Sequence, residues 1–381
     1  MSQNIARREW LKRSSLAALG LGFSMQSIAG EDYLPRNWGS EKGILNLGSN
    51  ENPYGLSPLA RQAIVDMIGY GNRYPFNVAR LQSFKKDLGS FYGLKEDHLL
   101  ITAGSGEALT MLARHFNKGN IVTANPTFGI LPNTARKIGT EVIEIPLNYD
   151  KVHDLPAMLS AINDKTQLVY LVNPANPTGT ILKPSVIKSF CEEASKKTVV
   201  VVDEAYIDFL DAPDNESMVQ LIEYNPRIII VRTFSKIFGM AGMRVGFIMA
   251  HPDMISQLGP NFFASSQLAV STIGQAAAME CLKDLSHCKM SKQKNAEARN
   301  YAMAELKKMN LRAIPSYTNF IFFSLGNYPG DFAQDMMKKN VALRSNTYPD
   351  GKWCRLSIGT LDEMQQFFKV MKPSFNGLNS G

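Results

Sequence analysis

The 381-residue sequence contains few of the residues from which metal sites and disulfide frameworks are built. Its four cysteines show no CxxC or other zinc-type spacing, and its five histidines are scattered, with no HExxH. Cys281 and Cys288 would share one face of a helix, but they would lie about 10 Å apart along its axis, too far for a disulfide. We therefore expect no metal site, and cysteines that are buried, free thiols.

The sequence also lacks the charge pattern typical of nucleic-acid binding. Lysine and arginine number 41 against 34 acidic residues, and +3 of the net charge of +7 falls in residues 1–29. The remainder has no basic stripe with interleaved aromatic residues and no helix-turn-helix extension, so a nucleic-acid partner is not expected. The 45% hydrophobic content is ordinary for a globular protein, and the length allows two packed units.

Residues 1–29 have the organisation of an export signal. The pair Arg7-Arg8 precedes an apolar run from Leu16 to Phe23, and a small-x-small sequence ends just before Gly30. The paired arginines, followed by an aromatic residue, leucine and lysine, resemble a twin-arginine signal. The apolar run is too short for a stable membrane anchor. The leader predicts a protein that is periplasmic or exported; the alternative is a frayed basic N-terminus on a cytoplasmic protein.

Helical patterns alternate with short β-rich runs between residues 76 and 275. Several of the seven runs are apolar on both faces, as strands covered by helices on each side should be. This pattern predicts an α/β domain with a mostly parallel seven-stranded sheet, and a ligand site at the carboxyl ends of its strands. Residues 276–381 fit a smaller α+β domain, with residues 30–75 forming an N-terminal arm and part of that domain.

Lys236 follows the hydrophobic run Arg227–Thr233 and lies in a Ser/Gly-rich turn. A lysine in that position is suited to form a Schiff base with an aldehyde cofactor. Ser235 lies beside it and Arg244 follows eight residues later, and both suit a phosphate. Without other signals, an ordinary surface lysine would be the better interpretation.

A glycine-rich turn follows the run Leu99–Ala103 and opens a helix. Glycines allow the backbone to approach an anion, and the N–H groups at a helix start bind phosphate. The turn lacks the lysine of a P-loop and the glycine spacing of a dinucleotide site, so a plain tight turn is the alternative.

Three further polar residues lie at or after strand ends. Asp203 closes a run of four valines, where a buried carboxylate is costly unless it has a partner such as a protonated pyridine nitrogen. Asn176 lies in a Pro-rich turn, and Tyr206 follows Asp203 by three residues; with Phe128, they could surround a ring. Individually these residues fit a Pro-rich turn and a capping aspartate. Their order together with Lys236 indicates pyridoxal phosphate.

The sequence from residue 46 to residue 360 resembles the fold-type-I pyridoxal-phosphate aminotransferases and, among them, the histidinol-phosphate aminotransferases. The resemblance implies an α/β fold like that of aspartate aminotransferase and an enzyme that transfers an amino group to a 2-oxo acid such as 2-oxoglutarate, in histidine biosynthesis. It is carried by the motifs Asn50-Glu-Asn-Pro-Tyr-Gly55, Asn72-Arg-Tyr-Pro75, Asn173-Pro-Ala-Asn-Pro-Thr-Gly179, Asp203-Glu-Ala-Tyr206, Arg232-Thr-Phe-Ser-Lys236 and Cys354-Arg-Leu-Ser-Ile-Gly-Thr360.

The resemblance also implies roles for the residues of the cofactor site. Lys236 would bind the cofactor covalently and move the substrate proton, and Asp203 would pair with the ring nitrogen. Phe128 would stack on the ring, while Asn176 and Tyr206 would hold its phenolic oxygen. The phosphate would contact the residues Gly104, Ser105, Gly106, Glu107, Ser235 and Arg244.

Other implied roles concern the substrate and a second subunit. Tyr74 would reach the cofactor phosphate of the partner subunit, which implies a homodimer. Asn52, Arg344 and Arg355 would bind substrate, with Arg355 at its acidic end and Arg344 at its phosphate. Arginine suits this task because its planar group makes two parallel hydrogen bonds to a carboxylate.

Two segments depart from the family pattern near the substrate. Leu34-Pro-Arg-Asn37 stands where relatives usually have a Leu-x-Pro-Tyr, and Asn261–Ser266 replaces a Pro-Phe/Tyr-Asn-type segment. These departures leave an aromatic or another phosphorylated amino acid open as the substrate. A decarboxylase or lyase on the same scaffold is disfavoured by the two arginines. A non-catalytic cofactor-binding protein is disfavoured by the intact Lys236.

Overall fold

Seven strands form the central sheet of the computed structural model, in the order β2-β8-β7-β6-β5-β3-β4. All neighbouring strands from β4 to β7 run parallel, and only β8 runs opposite to the rest. The predicted mostly parallel seven-stranded sheet is confirmed. Its strands are β2 (Leu99–Thr102), β3 (Asn120–Asn125), β4 (Glu141–Pro146), β5 (Thr166–Val172), β6 (Val199–Asp203), β7 (Ile228–Thr233) and β8 (Gly246–Ala250).

The structure describes residues 43–74 and 78–375, except for the side chains of 78, 79 and 261–269. Several sequence predictions therefore lie outside the described residues. These are the leader 1–29 with its cleavage site, the departure at Leu34–Asn37, the side chains of Asn261–Ser266 and the Pro75 end of one motif.

The three central strands are buried on both faces. Alternate residues of β5 belong to different hydrophobic cores: Val169 and Leu171 lie in one, and Leu168 and Tyr170 lie in the other. Such strands have continuous apolar sequences because helices cover both sides of the sheet. The helices of the described chain are α1 (Pro58–Met67), α2 (Val78–Phe91), α3 (Ser105–His115), α4 (Ile130–Lys137), α5 (Leu155–Ser160), α6 (Pro184–Ser195), α7 (Pro213–Glu216), α8 (Pro252–Ala269), α9 (Thr272–Cys281), α10 (Leu285–Lys308), α11 (Phe332–Met337) and α12 (Leu361–Met371).

A second, antiparallel sheet lies in the C-terminal part of the chain, in the order β12-β13-β10-β9. A separate strand pair, β1 with β11, joins the N-terminal segment to this part, and Leu45 and Leu47 enter its core. The division of the chain into the domains 30–75, 76–275 and 276–381 stays a prediction. The remaining strands are β1 (Leu45–Asn46), β9 (Ala313–Ile314), β10 (Phe320–Gly326), β11 (Val341–Ala342), β12 (Arg344–Tyr348) and β13 (Gly351–Ser357).

One helix prediction was wrong. Cys281 and Cys288 do not share a helix, because α9 ends at Cys281 and Asp284 caps the start of α10 at Leu285. Asp284 accepts a hydrogen bond from the His287 backbone, which satisfies one of the unpaired N–H groups of the new helix. The four cysteines are free thiols; three are buried and Cys288 is partly buried.

Two kinds of feature are absent from the described residues. No helix within 43–74 and 78–375 combines the length and apolar character needed to cross a membrane. The same residues contain no group of three or more His, Cys, Asp or Glu side chains that could hold a metal ion.

Candidate active site

Lys236 lies in the turn that follows β7, beside the loop Asn50–Gly55. Its amine donates to the backbone carbonyls of Asn50 at 3.2 Å and Ser49 at 3.4 Å, and lies 5.6 Å from the centre of the Tyr206 ring. The turn closes tightly: Gly239 has a φ of +68°, and a Cβ there would collide with the carbonyl of Gly55. The lysine is therefore held by backbone on a rigid turn at the carboxyl end of the sheet.

Asp203 ends β6 and is only 1% exposed. Its carboxylate accepts hydrogen bonds from the Tyr170 hydroxyl at 3.0 Å and the Ala205 backbone N–H at 3.1 Å. Burial raises the pKa of Asp203 to about 6, although both hydrogen bonds and the charge of Lys236 act in the opposite direction. A cationic partner would stabilise this carboxylate. The protonated pyridine nitrogen that the sequence predicted is such a partner.

The raised pKa of Asp203 predicts a pH dependence for the protein without cofactor. Asp203 binds its proton more tightly in the folded protein than in the unfolded protein, where its pKa is the ordinary 3.8. The stability that this protonation contributes is therefore complete below pH 3.8 and is lost as the pH rises to about 6. The expected loss is about 3 kcal/mol, at about 1.4 kcal/mol per pKa unit. Urea unfolding at pH 4 and pH 7 should show this loss in the wild type and not in Asp203→Asn; equal pH profiles would contradict it.

The Tyr206 hydroxyl is the centre of a polar network beside Lys236. It accepts from the side-chain amides of Asn50 at 3.0 Å and Asn176 at 3.2 Å. These bonds use both lone pairs of the phenolic oxygen, so its own O–H remains to donate to a ligand oxygen. Asn176 is oriented in turn by Arg355, whose guanidinium donates to its Oδ1 at 2.9 Å.

An anion cradle is formed where α3 begins. Gly104 has a φ of +78°, and a Cβ there would collide with the guanidinium of Arg244. A Cβ on Gly246, in the next strand of the sheet, would lie 2.5 Å from the Ser105 backbone nitrogen. Only glycine permits this close approach, which leaves the N–H groups at the start of α3 beside a cation.

Arg244 and Ser235 border the same cradle. Arg244 has a left-handed backbone, with φ +55°, and its guanidinium donates to the carbonyl of Ala241 at 2.8 Å. The buried Ser235 hydroxyl accepts from Thr233 at 2.9 Å, so its own proton is available for an anion. The Glu107 side-chain carboxylate accepts a hydrogen bond from the backbone N–H of Ala103 at 2.6 Å, and this bond orders the turn.

A cavity of about 640 Å³ opens next to this network. Phe128, Asn176, Arg344 and Arg355 line it, as do residues that the sequence did not predict, such as Lys137. Arg344 and Arg355 are cross-strand partners in β12 and β13. Both donate to one acceptor, the carbonyl of Gly48, at 3.0 Å from Arg344 and 2.6 Å from Arg355.

Two predicted residues lie away from this cavity's lining. The Asn52 amide donates to the Ile237 carbonyl at 2.8 Å, and its oxygen accepts from the Tyr54 N–H at 3.0 Å, so it ties its loop to the lysine turn. Tyr74 is 78% exposed at the end of the segment 43–74. Their roles toward substrate and partner subunit stay predictions.

Sequence reasoning missed four residues that order the site. Asn50 contacts Tyr206, Lys236 and Ser357, and Asn319 donates to the Asn50 carbonyl at 3.0 Å. Tyr170 donates to Asp203. The sequence did offer a signal for Asn50, which is the first residue of a recognised motif. It also offered one for Tyr170, whose hydroxyl lies within an otherwise apolar strand. Ser357 also lies in a recognised motif, Cys354–Thr360, whereas Asn319 gave no signal.

These residues fit pyridoxal phosphate. The buried Asp203 suits a ring nitrogen that carries a proton, and the Tyr206 hydroxyl and Asn176 amide suit a phenolic oxygen. The cradle at Gly104, Ser235 and Arg244 suits a phosphate, and the primary amine of Lys236 suits an aldehyde carbon.

Comparison with known proteins agrees with this chemistry. The model of the family "Aminotransferase class I and II" matches residues 42–370. Histidinol-phosphate aminotransferase 1 of Bacillus cereus is 35% identical over 91% of this chain and 92% of the relative, and the Brevibacillus brevis histidinol-phosphate aminotransferase is 34% identical over 91% and 94%. The crystal structure of histidinol-phosphate aminotransferase from Sinorhizobium meliloti in complex with pyridoxal-5'-phosphate has a TM-score of 0.81, at 25% identity, over 92% of this chain and 95% of that one. The chain belongs to the class I and II aminotransferases.

Proposed function

We infer that this protein is a pyridoxal-phosphate-dependent aminotransferase whose amino donor is histidinol phosphate and whose acceptor is 2-oxoglutarate. The family supports the reaction, and the names of the relatives support the donor. The observation that carries the proposal is the pair of arginines that lines the cavity, because a donor with an acidic end needs cationic partners there. Arg355 is connected to the Tyr206 network beside Lys236 through Asn176.

The cavity is cationic as a whole. Lys137, Arg344 and Arg355 line it, and none of its lining residues is acidic. Burial lowers the pKa of Arg355, and the charge of Arg344 acts in the same direction. The Arg355 Nε and the Thr127 hydroxyl are buried without a hydrogen-bond partner among the described residues. A phosphate or carboxylate would supply the missing acceptors and relieve the repulsion between the two arginines.

The chain's own residues then perform the proton transfers. When bound, the cofactor supplies the electron-withdrawing ring that makes the substrate's α-proton acidic. Lys236 removes that proton as general base, from a turn that fixes its amine. Asp203 would keep the ring nitrogen protonated, Tyr206 would donate to the phenolic oxygen, and Arg355 would orient the substrate.

The first test is a half-reaction followed by absorption spectroscopy. Purified holoprotein is mixed separately with histidinol phosphate, histidine, phenylalanine, tyrosine, glutamate and phosphoserine. We expect spectral conversion with histidinol phosphate to be far faster than with histidine, which has the same ring but no phosphate. Faster conversion with phenylalanine or tyrosine would assign the protein an aromatic donor instead, and no conversion with any donor would contradict an aminotransferase.

The homodimer and the export route are further parts of the proposal. The exposed Tyr74 supports a second subunit, and sedimentation velocity at micromolar concentration should give twice the chain mass. Arg7-Arg8 and the apolar run that follows support export by the twin-arginine route. Cell fractionation of the full-length protein and of a variant with Arg7 and Arg8 replaced by lysine should find only the former outside the cytoplasm.

A further inference from the structure

An ion pair between a buried lysine and an exposed aspartate joins two distant parts of the chain near the cavity. Lys151 donates to the carboxylate of Asp350 at 2.5 Å, and its side chain is only 9% exposed. The ammonium also lies 4.8 Å from the centre of the buried Trp353 ring. This environment differs from that of an exposed surface pair, which contributes little because water screens it and the side chains remain mobile.

Lys151 is connected through backbone to the loop that carries Asn176. It has a left-handed backbone, with φ +61°, and its carbonyl accepts from the Thr180 hydroxyl at 3.0 Å. The Thr180 carbonyl accepts in turn from the Ala175 N–H at 2.8 Å. The position of Lys151 is therefore fixed relative to Asn176 and not only relative to its own turn.

Asp350 lies at the tip of the hairpin formed by β12 and β13. That hairpin carries Arg344 near the end of one strand and Arg355 on the other, as cross-strand partners. The Arg355 bond to Asn176 holds the hairpin at the cavity, and the Lys151 bond to Asp350 holds it at the tip. Strand β13 is also paired with β10 along its length, whereas β12 is the edge of the sheet and pairs only with β13. The bond at the tip therefore acts mainly on β12, whose residues Arg344, Asn346 and Tyr348 line the cavity.

A second contact reinforces the tip. Arg312, which precedes β9, donates to the Tyr149 carbonyl at 2.7 Å and lies 3.9 Å from the centre of the Tyr149 ring. Its guanidinium is also 5.5 Å from the Trp353 ring. The turn that carries Lys151 is thus held against Trp353 of the hairpin from two sides.

We propose that Lys151 and Asp350 are positioning residues that hold the hairpin tip and the edge strand β12, so that Arg344 lies beside Arg355 and faces the acidic groups of the substrate. The inference rests on the proposed function, because it assigns the two arginines to substrate binding. Loss of the ion pair lets β12 leave its binding arrangement. Substrate affinity then falls in proportion to the fraction of molecules that retain that arrangement, while the chemistry at Lys236 is unchanged.

The test compares Lys151→Met with the wild-type holoenzyme. Methionine keeps the length of the side chain and its contact with Trp353, and the remaining Asp350 is 45% exposed and stays hydrated. We expect KM for histidinol phosphate and for 2-oxoglutarate to rise about tenfold, as it does when one molecule in ten is competent, with kcat within about twofold. Lys151→Arg, which preserves the ion pair, should restore most of the affinity.

The matched control is Lys196→Met, which removes an exposed ion pair with Glu193 and should change neither constant. Unchanged KM in Lys151→Met would overturn the proposal, as would a fall in kcat with no change in KM, which marks a structural defect. Binding of inorganic phosphate to the holoprotein, measured by calorimetry, provides a separate readout and should weaken about tenfold. If the wild type transaminates no donor, the proposed function fails, and unchanged phosphate binding in Lys151→Met would then reject the positioning role independently.

Discussion

Replacing Lys236 with alanine should reduce steady-state transamination by at least about 10⁴-fold, the upper range of what a positioned general base contributes. The side chain is the amine at the centre of the site, and its neighbours Ser49 and Asn50 contact it through carbonyls that cannot accept a proton in its place. The measurement is the rate of 2-oxoglutarate-dependent amino transfer by the purified variant.

A matched control separates chemistry from folding. Lys196→Ala, the same substitution at an exposed position, should retain the wild-type rate. Lys236→Ala should also stay folded in the absence of cofactor, because the hydrogen bonds of its amine go only to backbone oxygens that water can replace. Appreciable turnover by Lys236→Ala would remove the basis for assigning the reaction to this lysine.

The second large effect concerns stability and arises at a buried ion pair. Arg232→Met is expected to lower the free energy of unfolding by about 3–5 kcal/mol, because it leaves the Glu204 carboxylate buried without its cation. Glu204 is 1% exposed and accepts from Arg232 at 2.8 and 3.0 Å. Ser217 and the Met218 N–H complete its hydrogen bonds.

Urea unfolding of the cofactor-free protein measures this loss, and a double variant tests its cause. Glu204→Gln combined with Arg232→Met removes both charges while the amide oxygen still accepts from Met218, so it should recover much of the lost stability. A double variant as unstable as Arg232→Met would show that the uncompensated charge is not the reason.

The central sheet could be predicted because its strands are recognisable from local sequence, although their order in the sheet was not predicted. Runs such as Val199–Val202 are apolar throughout, which is the pattern of strands covered by helices on both faces. The boundary of β8 was less accurate. The β-rich run Arg244–Ile248 predicts that the strand begins at Arg244. The strand begins two residues later, at Gly246, because Arg244 takes up a left-handed conformation that ends pairing. A side chain gives little indication that its backbone will adopt such a conformation.

The site was predictable from its motifs taken together. A lysine in a Ser/Gly turn and an aspartate after four valines are each ambiguous, but their order along the chain indicates a cofactor site. The contacts that orient them were not predictable, since Asn50 and Ser357 are 307 positions apart and meet only when the N-terminal segment lies along the C-terminal sheet. Lys137 was not predicted as a cavity residue for the same reason. In the sequence it is an ordinary lysine at the end of a helix, and only the fold brings α4 to the cavity that Arg344 also lines.

The carbonyl of Gly48 accepts hydrogen bonds from both Arg344 and Arg355. This backbone oxygen therefore competes with a bound anion for the same N–H groups. A ligand that takes over these hydrogen bonds must displace that oxygen. A neutral ligand offers only an equivalent acceptor and gains nothing from the exchange, whereas an anion forms charge-assisted bonds that are about twice as strong. We therefore expect these two arginines to favour charged substrates, because a ligand that displaces the resident carbonyl must form stronger hydrogen bonds than the carbonyl does.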